Sequence, residues 1–330
     1  MNVLVTGATG FVGSHLVDYI LENHPSVLLH TTKRYHLSRM DNCDHFYDRV
    51  NWIDINLREP HAVLQMVSEI KPSIIFHMAA ESFVSPSWRH PCEYMDSNYK
   101  MTVNILEAVR LLGLDTKVHL PGSGEEYGEI DENNLPIRPE TALNPVNPYA
   151  VTKIAQDLIG FVYWKSYGVN VIRTRAFNHE GPRRHFMFGI PWYAYQIARM
   201  ERGLQPFVLE TGDTQDKRNF TDVRDMVKAY WLAAKYCEPG TLYLIVQEDK
   251  AMIYTFSEVI DLLISLSSIE KNRVEVRRVD KYVRPTNVPF LISDISRFNA
   301  IVEWKRVYDM RTILVDTLDY WRDRVANGRH

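Results

Sequence analysis

The sequence predicts an α/β protein, a doubly wound parallel sheet with a smaller, interleaved C-terminal domain. Three features carry that expectation. Short apolar runs alternate with longer stretches of helical spacing through the first half. A glycine-rich turn joins the first run to the first helical stretch. After Arg175 the alternation gives way to a polar loop and an aromatic-rich segment. With 330 residues, 45% of them hydrophobic, the chain can bury a core without disulfide or metal staples.

Taken in order, Val3–Val5, Val27–His30, Val50–Asp54, Ile74–Met78 and Val118–Leu120 read as strands. Phe11–Asn23, Glu59–Glu69 and Glu93–Leu112 lie between them with apolar residues at helical spacing. Tyr149–Tyr167 is a further helix, followed by a strand over Val169–Arg175. Asn178–Arg184 is a Gly/Pro-bearing loop that leads into a helix through Trp192–Met200. Thr221–Lys235 and Leu242–Val246 read as another helix and strand of the sheet domain. Thr255 followed by Glu258 forms a capping box for Phe256–Leu266, and Asp309–Val325 is a final amphipathic helix. The expected domains are therefore 1–176 with 218–248, which bind the cofactor, and 177–217 with 249–330, which bind the substrate.

Charge and cysteine content exclude several classes. The 38 Lys and Arg against 41 Asp and Glu leave a formal charge of −3, which argues against a nucleic-acid binder held by charge. Cys43, Cys92 and Cys237 match neither a zinc spacing nor a disulfide framework, so a cytoplasmic protein is expected. The first residues lack a basic region followed by a long apolar stretch, so no signal peptide is expected. No run reaches about 18 apolar residues, so no membrane span is expected either.

Gly7-Ala8-Thr9-Gly10-Phe11-Val12-Gly13 stands between a strand and a helix, the context that marks a dinucleotide site. Gly7 permits the turn, Gly10 admits a pyrophosphate and Gly13 lets helix and strand pack closely, as in a Rossmann-type sheet. The helix N-terminus offers free N–H groups and a positive dipole end. Where a ribose-binding carboxylate would mark NAD, the sequence has Thr31-Thr32-Lys33-Arg34, with Arg39 just beyond. Cations suit a 2′-phosphate, so Lys33 and Arg34 predict NADP. Asp54, with Ile55 beside it, is placed against the adenine, and Ala79 and Ala80 along the cofactor.

Tyr149 and Lys153 are four apart and share a helix face. A phenol with a pKa of about 10 is a poor base at neutral pH unless a cation stabilises its anion. If the chain stays extended after the fifth strand, Glu125 points with Ser123 and Glu126 points away.

Together the glycine pattern, Ser123 and the Tyr149/Lys153 pair resemble the extended short-chain dehydrogenase/reductase superfamily over essentially the whole chain. Within it the sequence resembles the GDP-sugar branch of GDP-mannose 4,6-dehydratases and GDP-4-keto-6-deoxymannose reductases. Phe177–Arg184 and the Lys33-Arg34 region look like the dehydratases. Gly122–Gly128, Arg218–Val223 and the stretch Arg284-Pro285-Thr286-Asn287-Val288-Pro289 look closer to the reductases. Gly124 and Ser123 depart from the Ser and Thr usual in dehydratases.

The resemblance implies a GDP-hexose 4,6-dehydratase. Tyr149 removes the C4 hydroxyl proton as hydride leaves C4, Glu125 takes the C5 proton, water is lost from C6, and hydride returns to C6. A reductase would need only Ser123, Tyr149 and Lys153, and would consume NADPH; another nucleotide-sugar epimerase or dehydratase is the further alternative. The resemblance places Lys153 on the nicotinamide ribose, where it also tunes Tyr149, and His179 along the nicotinamide. It places Ser82, Val84, Asn178, Arg218 and Arg284 against the substrate. Arg183 and Arg184 are left between the cleft and a neighbouring subunit's cofactor. A homodimer is expected through Glu93–Leu112 and Tyr149–Tyr167, or a homotetramer if the Lys33–Arg39 loop bridges subunits. A non-catalytic NADP-sensing scaffold is disfavoured because Ser123, Tyr149 and Lys153 are all retained.

Overall fold

The computed structural model describes residues 1–246, 250–283, 285 and 290–328. The central apolar runs become strands because they are covered on both faces, and every residue of β4 is buried. β1 (Asn2–Thr6), α1 (Phe11–Asn23), β2 (Leu28–Lys33), β3 (Asn51–Asp54), α2 (Pro60–Ile70) and β4 (Ile74–His77) follow in alternation. A short α3 (Val84–Ser87) precedes α4 (Pro91–Leu111), β5 (Lys117–Ser123), α5 (Pro148–Tyr167) and β6 (Val171–Ala176). The helices start where the chemistry allows. Pro occupies the first turn of α2, α4 and α5, where a missing N–H costs nothing, and the Asn147 side chain caps α5.

Beyond β6 come β7 (His179–Glu180), α6 (Gly189–Glu201), β8 (Val208–Thr211), β9 (Lys217–Asn219), β10 (Thr221–Asp222), α7 (Val223–Tyr236) and β11 (Leu242–Ile245). β12 (Ile253–Thr255), α8 (Phe256–Leu266), β13 (Glu275–Arg278), β14 (Phe290–Leu291), α9 (Ser296–Asn299) and α10 (Met310–Ala326) complete the order. Seven strands form one parallel sheet in the order β11-β6-β5-β4-β1-β2-β3. The strand order reverses between β1 and β4, and the crevice at the strand ends there is where such sheets bind ligands. The capping box expected at Thr255 and Glu258 is present in both directions.

One core packs α1, α7 and their strands, and a second packs α2, α4 and α5 on the opposite face. A third unites α6, α8 and α10 outside the sheet. The expected domain limits shift at two places. Phe220 belongs to the third core, and β9 pairs with β12 and β14, because Lys217–Asn219 serves the smaller lobe. Conversely, Ile295, Phe298, Val302 and Trp304 pack into the sheet's core, and the Trp304 indole donates to the Asp225 carbonyl at 3.0 Å. No helix among the described residues is long and apolar enough to cross a membrane.

Candidate active site

The glycine turn meets the conditions for a bound pyrophosphate. Gly7 has φ +68°, and a Cβ there would lie 2.7 Å from the Ala79 nitrogen. A Cβ on Gly13 would lie 2.2 Å from the Gly7 carbonyl oxygen. No side chain caps α1, so its first N–H groups remain for an anion. The turn is braced from behind: Thr6 Oγ1 accepts the Ala79 N–H at 3.2 Å and meets His77 Nδ1 at 2.9 Å.

A cleft of about 910 Å³ runs from this turn across the strand ends to the smaller lobe. Gly7, Gly10, Phe11, Val12, Gly13, Lys33, Arg34, Ile55, Ala79, Ala80 and His179 line it at the cofactor end. Ser123, Glu125, Tyr149 and Lys153 line its middle, with Ser82, Val84, Asn178 and Arg218 beyond. Arg284 lies outside the described residues.

Two cofactor-end expectations change. Asp54 is not in the cleft wall, because it is the direct partner of Lys33 across β2 and β3 and their charges meet at 3.6 Å. Lys33 is thereby occupied, and its ammonium also sits 5.7 Å from the centre of the Tyr47 ring. Arg34 is exposed, and its backbone N–H is fixed by Ser38 Oγ at 2.8 Å. Arg34 is thus the better-presented cation of the pair.

Arg183 and Arg184 separate. Arg183 has φ +71° and pairs with Asp18 of α1 at 2.6 Å, so it docks its loop on its own chain and does not line the cleft. Arg184 lines the cleft, 4.0 Å from the centre of the Phe188 ring and ion-paired with Glu180. Phe11 stacks on His179 at 5.9 Å, and His179 Nδ1 donates to the Phe177 carbonyl at 2.8 Å. Burial and the nearby Arg184 lower the His179 pKa to about 4, so its ring is neutral at working pH.

The chain does not stay extended after Ser123. Ser123 caps a 3-10 turn, Gly124–Tyr127, and its Oγ accepts the Glu125 N–H at 3.2 Å. The turn still separates the two acids as expected: Glu125 faces the cleft and Glu126 is fully buried. Asn147 was missed from the sequence. Its Oδ1 accepts the Ala150 N–H at 2.8 Å to cap α5, and its Nδ2 donates to Glu125 Oε2 at 2.9 Å. A capping residue two positions before Tyr149 is readable; the direction of its second amide group is not. Asn98 was missed as well. Its amide donates to the Glu81 carbonyl and to Thr152 Oγ1, tying the loop after β4 to α5.

Burial raises the pKa of Tyr149; the Ser123 hydrogen bond pulls it down, Glu125 and Glu126 raise it, and Arg184 lowers it. Lys153 directs its ammonium to Gln156 Oε1 at 2.6 Å. Burial lowers the Lys153 pKa to about 8, against the opposite pull of Glu126 and Asp157.

The family model described as GDP-mannose 4,6 dehydratase matches residues 4–317. The chain belongs to that family. It is 30% identical over 325 residues to a GDP-6-deoxy-D-mannose reductase of Pseudomonas aeruginosa, covering 98% of both chains. It is also 30% identical over 308 residues to a GDP-mannose 4,6-dehydratase of Vibrio cholerae, covering 88% of this chain and 80% of the relative. Among solved structures, RMD from Pseudomonas aeruginosa complexed with NADPH superimposes with a TM-score of 0.83 at 28% identity, over 98% of this chain and 99% of that one. Relatives of both names thus match this chain over most of its length.

The double role of Asn147 can be separated by substitution. Asn147→Ser keeps a good cap, so stability should change by no more than about 1 kcal/mol. It also removes the amide that holds Glu125, and turnover should fall at least tenfold. Thermal unfolding and steady-state rates measured together check this; an unchanged rate would remove Asn147 from the site.

Proposed function

We propose that the protein is an NADP-dependent GDP-hexose 4,6-dehydratase. Glu125 carries this reading: a carboxylate in the cleft, held by Asn147 and close enough to raise the pKa of Tyr149. An elimination needs such a base beside the Ser/Tyr pair; a simple carbonyl reduction does not.

NADP, when bound, supplies the two-electron acceptor and donor. Ser123 holds the C4 oxygen and Tyr149 takes its proton as C4 becomes a ketone. That ketone makes the C5 hydrogen acidic, and Glu125 removes it. The C6 hydroxyl leaves as water with assistance from a protonated acid, and C6 is then reduced, so no reductant is consumed overall. Lys153 holds the nicotinamide ribose. Arg218, 4% exposed and facing the cleft, offers a guanidinium fork to the diphosphate.

A second reading, NADPH-dependent reduction of a GDP-4-keto-6-deoxyhexose, is favoured by the end-to-end match to the Pseudomonas aeruginosa reductase. Incubation with GDP-mannose and NADP⁺ separates the two: a dehydratase yields a product lighter by one water in mass spectrometry. Glu125→Gln should lower that rate by about 10²–10⁴ and leave reduced cofactor visible at 340 nm, while Tyr149→Phe should abolish the signal. Near-normal turnover of Glu125→Gln, with NADPH consumed on a 4-keto sugar, would establish the reductase instead.

The bound NADPH of the Pseudomonas aeruginosa structure and the exposed Arg34 support the choice of NADP. Replacing Lys33 and Arg34 by Ala should weaken NADP(H) far more than NAD(H) in a fluorescence titration; equal losses would count against it.

A homodimer through α4 and α5 is supported by Val151, Leu158 and Val162, which lie along one side of α5 and are 44%, 48% and 44% exposed. Leu158→Lys should convert a dimer to a monomer by light scattering at micromolar concentration. A wild-type monomer under the same conditions would refute the interface.

A further inference from the structure

One face of α1 is given over to the loop that follows β6. Phe11, His15 and Asp18 stand four and three residues apart, so they form a single stripe along the helix. Phe11 stacks on His179, and its ring centre lies 5.7 Å from the Arg184 guanidinium. His15 Nε2 lies 3.0 Å from the Pro182 carbonyl, which can only accept, so that nitrogen carries a proton and donates. Burial and the nearby Arg183 lower the His15 pKa to about 3, so the donor is a neutral ring. Asp18 Oδ2 accepts from Arg183 Nη1 at 2.6 Å.

The backbone at this point is under strain. Arg183 has φ +71°, a left-handed conformation that a residue with a Cβ keeps only where its surroundings impose it. The bend sends neighbouring side chains in opposite directions: Arg183 turns to α1 and Arg184 turns into the cleft. Arg184 then donates to the His179 carbonyl and pairs with Glu180, which closes the loop on itself. Asp18 makes a second contact, because its Oδ1 accepts from His45 Nε2 at 2.7 Å, on the 3-10 turn Asp44–Arg49. The residues leading into that turn are held by the glycine turn. Asn42 Nδ2 donates to the Thr9 carbonyl at 3.2 Å, and Cys43 Sγ to the Ala8 carbonyl at 3.4 Å. One carboxylate therefore joins three segments of the cofactor end: α1, the stretch after β2 and the loop after β6.

We propose that Asp18 is a positioning residue for the dinucleotide: through Arg183 it imposes the left-handed bend that aims Arg184 into the cleft. Asp18 does not line the cleft, so its effect on a ligand passes through the loop. The idea rests on the proposed NADP binding only for its affinity readout. Without Asp18, Arg183 relaxes toward negative φ and the direction of Arg184 changes with it. Cofactor affinity then falls although no group of the cleft wall has been removed.

The test is a double-mutant cycle of Asp18→Ala and Arg183→Ala in the full-length protein. It is read by NADP(H) fluorescence titration and by amide hydrogen exchange over residues 177–188. Asp18→Ala should weaken NADP(H) at least fivefold, and the double variant should lose no more than the more affected single variant. Asp18→Glu restores the charge and should recover most of the affinity. In cofactor-free protein, Asp18→Ala should exchange at least tenfold faster over 177–188, with α5 unchanged. Losses that multiply in the double variant overturn the proposal. So does an unchanged dissociation constant with a lower melting temperature, which leaves Asp18 a structural contact only. Should Asp18→Ala fail to fold, Asp18→Asn, of nearly the same shape, takes its place in the cycle. Wild-type protein that binds no NADP(H) would overturn the cofactor reading alone; the loop's exchange still decides this inference, and unchanged exchange in Asp18→Ala refutes it.

Discussion

Asp157 accepts from two guanidinium groups of β6 at once, and the orientation of α5 follows from that contact. Arg173 grips both its oxygens and Arg175 takes a second bond to Oδ2, each at 2.7 Å. Rotation of α5 about its axis would break this fork, so Lys153, one turn earlier, and Tyr149, two turns earlier, are fixed relative to the strand ends. Such a cluster is poor evidence of net stability, since desolvating the ions offsets most of their attraction. Removing one partner is a different matter. An orphaned buried charge costs about 3–5 kcal/mol, so the cluster persists as a unit or not at all. Its effect is specificity of orientation, delivered to the helix that carries the phenol and the ammonium.

The same requirement reaches into the strand beside it. A carboxylate buried against β5 needs a gap in the sheet's face, and Gly122 supplies it. At the cofactor end of the cleft, Gly7 and Gly13 open equivalent gaps, one for Ala79 and one for the Gly7 carbonyl. The cleft is therefore bounded, at its middle and at its cofactor end, by positions where a methyl group would collide with fixed backbone or with a fixed charge. Close packing of this kind transmits small displacements, because interiors have little void to absorb them. Ser123 lies next to Gly122 and carries both the cap of the 3-10 turn and the hydrogen bond to Tyr149, so it feels such shifts first.

What the sequence disclosed and what it concealed divide along the range of the interactions. The alternation of strands and helices, the glycine turn, the Thr255 capping box and the four-residue spacing of Tyr149 and Lys153 are local patterns, and each has its structural counterpart. Even the separation of Glu125 from Glu126 emerged, although by a 3-10 turn and not by an extended strand. Side-chain partners drawn from distant segments were hidden. Asp54 answers Lys33 across β2 and β3, Arg183 answers Asp18 over a separation of 165 residues, and Glu126 answers Arg175. Periodicity carries no information about such pairs. The domain limits failed for a related reason: Trp304 packs under α7 and Phe220 packs away from it, and neither address is written in local composition.

Two adjacent carboxylates in such different settings bear on the chemistry. Glu126 is unexposed, bound to a backbone amide and an arginine, and has no path to a sugar carbon. Any proton taken from a substrate in this cleft by an acid of the turn must go to Glu125. The Asn147 amide approaches Glu125 from the start of α5, the element that carries Tyr149, so base and phenol keep a fixed separation as α5 is held by Asp157. A carboxylate needed only for solubility would have no reason to be tied to the catalytic helix by the same residue that caps it. In the alternative reading, reduction of a 4-keto sugar, protonation of the C4 oxygen would fall to Tyr149 and would not call on that tether. The arrangement is therefore consistent with the proposed elimination, in which Glu125 would take the proton next to the new ketone.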